Sequence, residues 1–332
     1  MTPPAARPHP AVRWLPPVGW AGLAVGTAVL VGLLTATPLS SAPSVLAGIA
    51  VTRSGMDVAG VACVGLALLG VLLPGNRADL PGGAGRALAG VRAAADRAVV
   101  ALSGAWLVLV LLGVAYRTAD AFGRPVHRIG WDELTRWSAQ LAAGRGMVLT
   151  AGCVAVVLGC AVVRLRDPGL VQVRVVLIAA LLGVITPGVT GHAGTAADHQ
   201  LAVITMALHV GAAALWVGGL AAVLVLVARH RPLLDAVLPG FSRLAGICIA
   251  AVTLTGVVNA VLRVEGWAGL VTTPYGLLVL AKSACLVLLA CLGGLARRRL
   301  ATGRLPVLRW AGLETALMAL TLGLAAALAQ SA

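Results

Sequence analysis

Charge is what this sequence has least of. Asp, Glu, Lys and Arg make up only 11% of its 332 residues, against about a quarter in ordinary globular domains. So few ionisable side chains cannot clothe the surface of a soluble domain of this length. Lysine is almost missing: Lys282 is the only one, and it lies inside an apolar run. The six cysteines (Cys63, Cys153, Cys160, Cys248, Cys285 and Cys291) also fall in apolar runs, with no C-x-x-C pair. That excludes a disulfide framework or a zinc knuckle, and leaves them as small buried hydrophobes. Cys153 and Cys160, seven apart on one helix face, are the soft-metal candidates among them. The chain has no G-x-x-x-x-G-K-[ST] and no D-K-T-G stretch, so no nucleotide-driven step is expected. No catalytic residues are assigned, and the chain reads as a non-enzyme.

What is present is hydrophobicity. Apolar residues make up 60% of the chain and the mean hydropathy is +0.98. Runs of about 20 apolar residues, the length that crosses hydrocarbon as a helix, recur throughout. The expected fold is all-α, a polytopic transmembrane helical bundle of about nine spans. Residues 1–17 read as a Pro-rich disordered tail, and the first span covers 18–37. Further spans are expected at 56–73, 98–116, 147–163, 173–190, 200–227, 242–262, 275–296 and 308–330.

A formal charge of +14 would suggest nucleic acid in a soluble protein. Here the arginines cluster in alternate short connections, which is the positive-inside pattern, and a nucleic-acid partner is excluded. Arg77, Arg86, Arg92 and Arg97 lie in one such connection, and Arg297, Arg298, Arg299 and Arg304 in another. The opposite loops hold Arg53 alone, Arg263 alone, or none. The bias places the N-terminus inside and the C-terminus outside. Residues 117–146 break the pattern with five arginines, but WDELTRWSAQL within them is amphipathic and is expected to lie at the membrane interface. The spans before residue 190 are nearly featureless, whereas those after it carry His, Asn, Lys and Glu. Residues 18–189 are therefore taken as a transmembrane scaffold and 190–330 as the functional module.

Polar side chains within a bilayer are expensive and need a reason. They concentrate in TGHAGTAADHQLAVITMALHVGAAALWVGGL, residues 190–220. At 1.5 Å per residue, His199 and His209 stand about 15 Å apart along a helix and cannot share an ion. Met206 and His209, at i and i+3, are neighbours. A thioether beside an imidazole suits Cu(I). His192, Asp198 and His199 form a harder set on the expected outer side, able to meet Cu(II). Copper is thus the expected metal, entering at His192 and His199 and held partway in by Met206 and His209. Asn259, Lys282 and Glu314 are the other intramembrane polar residues and are candidate path residues. The plainer alternatives are an interhelical hydrogen bond for His209, packing for Met206, and interfacial placement for His192 and His199. Trp216 and the Gly218-Gly219 pair are expected to serve packing, the glycines by letting helices approach closely.

These features resemble the copper resistance D (CopD-like) family of bacterial membrane proteins. The resemblance rests on GHA at Gly191–Ala193, H-x6-W-V-G-G-L at His209–Leu220 and F-S-R-L-A at Phe241–Ala245. It continues with T-G at Thr255-Gly256, Y-G-x5-K at Tyr275–Lys282 and a late span bearing Glu314. It implies copper movement across the bacterial plasma membrane, usually inward, with His192 and His209 as copper contacts and Lys282 and Glu314 on the path. A methionine-rich capture loop is absent, the chain having five Met, so an extracytoplasmic copper-binding protein is the expected soluble partner. Two other functions use similar residues: a b-haem electron-transfer protein and a copper-delivery factor for oxidase assembly. Bis-His haem needs two histidines at matched depth on facing helices, and only His209 lies well inside a span.

Overall fold

The computed structural model describes residues 43–75, 84–190 and 199–261, together with 271–273, 276–277, 280, 283–284 and 287. Among them the chain is helical, with no strand. α1 is Pro43–Leu72 and α2 is Ala84–Ala121. A 3₁₀ turn at Val126–Arg128 leads to the short α3, Trp131–Gln140, and then α4, Ala142–Arg166. α5 is Val173–Val189, α6 is His199–Ala222 and α7 is Arg231–Val261. A π-helical turn, Val223–Val227, extends α6. Five of these helices are long and apolar enough to cross a membrane, and α5 is apolar but shorter. This is a multi-pass membrane protein. The spans expected at 18–37, 275–296 and 308–330 lie outside the described residues, apart from short pieces of the second.

α1 is the hub, packing on α2, α5 and α6, while α4 packs on α2 and α5, and α6 on α5 and α7. Gly60 of α1 abuts Trp106 of α2 and Val184 of α5, and Gly70 abuts Val173 of α5, so α1 runs antiparallel to both neighbours. The closest approach is between α1 and α6. A Cβ on Gly65 would run into the Gly218 backbone, and one on Gly218 into the Val61 carbonyl. Gly219 gives the same room to Leu68 and to the ring of Phe241. Packing is therefore the observed role of the glycine pair, and Trp216 is buried beside them. Outward-facing Leu111, Leu149, Ile178, Ile204, Ile247 and Leu254 are all more than half exposed. An apolar coat of this kind suits lipid and would be a liability in water.

Several helices begin earlier than hydropathy suggests. α2 starts at residue 84 rather than 98 because Leu88, Val91, Ala95 and Val99 keep a buried stripe at helical spacing beneath the arginines. α7 starts at residue 231 rather than 242 for the same reason, with Leu233, Val237, Phe241, Ala245 and Cys248 buried in succession. Arg53, expected in a loop, lies within α1 and pairs with Asp57 at 3.2 Å. α3 is the amphipathic helix expected from WDELTRWSAQL. Trp137 faces the protein, Trp131 is 82% exposed, and Glu133 accepts the Gly130 N–H at 2.9 Å at its start.

The far end of the bundle is fastened by charge. Arg164 of α4 donates to both carboxylate oxygens of Asp96 on α2, at 3.0 and 3.4 Å, and to the Val171 carbonyl at 2.7 Å. Arg92 donates to the Pro74 carbonyl at 2.6 Å. Together they line a cavity of about 30 Å³ between α1, α2, α4 and α5.

Candidate functional site

α6 carries the site because its sequence combines a long apolar run with one imidazole ten residues from its start. His209 is half-buried and faces α7. Its Nδ1 lies 3.0 Å from Thr255 Oγ1. The threonine hydroxyl has a single hydrogen, and it is directed to the Ala251 carbonyl at 2.6 Å, the back-bond that threonine commonly makes in apolar helices. Thr255 Oγ1 is thereby placed to accept from an Nδ1–H of His209. In that tautomer the second ring nitrogen, Nε2, carries the lone pair. That is how metal-ligating histidines are commonly set, with the second ring nitrogen donating to a neighbour that fixes tautomer and ring orientation.

The residue after Thr255 completes the seat. Gly256 has no side chain, and a Cβ placed there would stand 3.6 Å from His209 Cε1 and 3.9 Å from Nδ1. The imidazole lies over this glycine while the threonine holds its Nδ1 side. Thr255 itself is buried. In the sequence Thr255-Gly256 stands only as one of the short motifs that carry the family resemblance. Its use becomes visible once α6 and α7 are packed together.

Met206 is also on α6, but its observed neighbour is a different helix. A Cβ on Gly188 of α5 would lie 3.6 Å from Met206 Cγ and 3.7 Å from Val210 Cγ2. The described contacts of Met206 thus go to α5 and those of His209 to α7. The two share a helix and a depth, on adjoining faces. His199 opens α6, and Asn259 lies in the last turn of α7, one turn beyond Thr255. His192, Asp198, Lys282 and Glu314 lie outside the described residues. Among the described residues no three His, Cys, Asp or Glu side chains converge as a metal cluster. Cys153 and Cys160 are half-buried free thiols on α4.

The T-G dipeptide at Thr255-Gly256 belongs to the segment that a family comparison recognises. Residues 235–328 match the family model of Copper resistance protein D. The C-terminal part of this chain is thus similar to copper resistance protein D. The match begins within α7, so it includes Thr255, Asn259, Lys282 and Glu314. His192, His199, Met206 and His209 precede it, so the matched segment is shorter than the 190–330 expected from the motifs. His209 nevertheless reaches the segment directly through its hydrogen bond to Thr255. No curated protein and no solved structure matches the chain.

Proposed function

We propose that this protein moves copper across the bacterial plasma membrane, from the outer side inward, along a path centred on α6. The observation that carries the proposal is the His209–Thr255 bond. It joins the imidazole of α6 to the copper resistance D-like segment and orients the ring from its Nδ1 side. His192, Asp198 and His199 receive the ion at the mouth. His209 holds it partway in, with Met206 offering a thioether one turn earlier on the adjoining face. A single imidazole with a soft neighbour binds Cu(I) weakly enough to release it, as conduction requires. Asn259, Lys282 and Glu314 line the remainder of the path. The arginine bias supports an orientation with the N-terminus inside and the C-terminus outside. In that orientation the membrane potential draws a cation inward with about 2.3 kcal/mol per charge per 100 mV, without nucleotide hydrolysis. A soluble extracytoplasmic copper-binding protein delivers the ion.

Copper content of cells carrying the intact chain or His209→Ala tests this reading. Uptake falling to the level of cells without the protein is the expected result. Unchanged uptake in the variant overturns the role of His209, and a Soret band at one haem per chain in the purified protein assigns the imidazole to haem instead.

A further inference from the structure

The arginine-rich end of the bundle holds charge that packing does not use. The cavity of about 30 Å³ between α1, α2, α4 and α5 is lined by Arg92, Asp96 and Arg164. Two guanidiniums and one carboxylate leave its wall with one positive charge in excess. Arg164 and Asp96 are mostly buried and neutralise each other at 3.0 Å, so the excess belongs to Arg92. Arg92 donates through Nη2 to the Pro74 carbonyl at 2.6 Å and the Gly75 carbonyl at 3.5 Å. The first of these bonds is partly buried and the second exposed, which places Arg92 at the mouth of the cavity. Among the described residues no carboxylate pairs with Arg92, and its Nε and Nη1 hydrogens make no hydrogen bond.

We infer that this cavity seats the phosphate of an anionic phospholipid headgroup, held by Arg92 at the mouth and Arg164 behind it. The inference is independent of the copper reading. Charge selects an anion, because a half-buried guanidinium bonded only to carbonyls lacks a counter-charge. Shape selects phosphate, since a guanidinium presents a planar fork of N–H donors that matches two phosphate oxygens. Size agrees with this. One water needs about 10–15 Å³ of such space, so the cavity admits about two oxygen-sized atoms while the rest of the lipid stays outside. Location selects the lipid as the source. The cavity lies where α1 and α4 end and α5 begins, the level at which headgroups meet a helical bundle. Basic pockets between transmembrane helices are recurrent headgroup sites. The same stretches of α2, α4 and α5 also carry Arg86, Arg97, Arg166 and Arg174, so the approach attracts an anion. Asp96 does not repel it strongly, because both of its oxygens are engaged by Arg164.

Two measurements on the full chain test the inference. The first is native mass spectrometry of protein released from phosphatidylglycerol nanodiscs, for the wild type, Arg92→Gln and Arg97→Gln. Arg97 is exposed, on the same helix and outside the cavity lining, so its loss removes the same charge without touching the site. The wild type and Arg97→Gln are expected to retain one phosphatidylglycerol per chain, which Arg92→Gln binds about tenfold more weakly. Equal retention by the two variants overturns the site and reduces the basic end to diffuse attraction. The second measurement uses the wild type alone, so it is independent of whether the variants fold. Thermal unfolding in detergent is followed with added dioctanoyl-phosphatidylglycerol, dioctanoyl-phosphatidylcholine or inorganic phosphate. A saturable rise with phosphatidylglycerol alone supports the site, and no rise with it overturns the site. An equal rise with either of the other two overturns the assignment to an anionic phospholipid.

Discussion

Replacing Thr255 by valine keeps the branched shape and removes one oxygen. If that oxygen sets the His209 tautomer, the effect on copper should far exceed the effect on the fold. Hydrogen bonds between transmembrane helices contribute about 0.6 kcal/mol on average and at most about 1.7 kcal/mol, so the bundle should survive. The imidazole, however, loses the hydroxyl 3.0 Å from its Nδ1. Loss of such a partner typically lowers metal affinity about 10–100-fold, or about 1.4–2.8 kcal/mol. Thr255→Ser keeps the hydroxyl and should remain within about threefold of wild type, a difference of less than 1 kcal/mol. The assay is Cu(I) affinity by chelator competition in nanodiscs, with thermal unfolding measured on the same samples. Equal affinities for Thr255→Val and wild type, with both folded, would refute the tautomer argument. So would a serine variant as impaired as the valine one.

Other substitutions probe the packing and the seat of the imidazole. Asp96→Ala leaves the mostly buried Arg164 guanidinium without its carboxylate and should destabilise the bundle by about 3 kcal/mol. Most of that should return in Asp96→Leu/Arg164→Met, and denaturation in mixed detergent would show it. Gly218→Ala drives a methyl into the Val61 carbonyl and should cost about 1–3 kcal/mol. Gly152→Ala, where nothing lies within 4 Å, should be neutral or stabilising by up to about 1 kcal/mol. At Gly256 a methyl meets His209 at an ordinary contact distance of 3.6 Å, so Gly256→Ala should bind copper normally. Gly256→Leu displaces the ring and should lower affinity at least tenfold, read by the same competition assay.

Much of the fold is visible in the sequence because hydropathy alone reports helices that face lipid. The run at 200–227 reproduces α6 with its π-helical turn almost to the residue. Hydropathy fails where a helix continues past the apolar run, as at Arg86–Arg97 in α2 and Arg231–Phe241 in α7. There a buried stripe persists beneath charged residues, and helical period is the better guide. The imidazole of His209 is conspicuous for the same reason: polar groups are rare in such helices. Thr255 is not, since it lies 46 residues away and back-bonded threonines are unremarkable in apolar helices. Met206 and His209 look like one pair by spacing, but the helices packed around them differ, α5 for one and α7 for the other. The convergence of Met56 and Met147 is the least legible feature. It depends on both side chains packing against Gly113 of a third helix, and a glycine in a membrane span signals nothing until its neighbours are known.

The most direct test of copper movement through α6 is ⁶⁴Cu flux into proteoliposomes held at an inside-negative potential. Wild-type vesicles should accumulate copper well above protein-free vesicles, and His209→Ala vesicles should fall to the protein-free level while the protein remains inserted and folded. Equal accumulation by the His209→Ala and wild-type proteins would contradict the account.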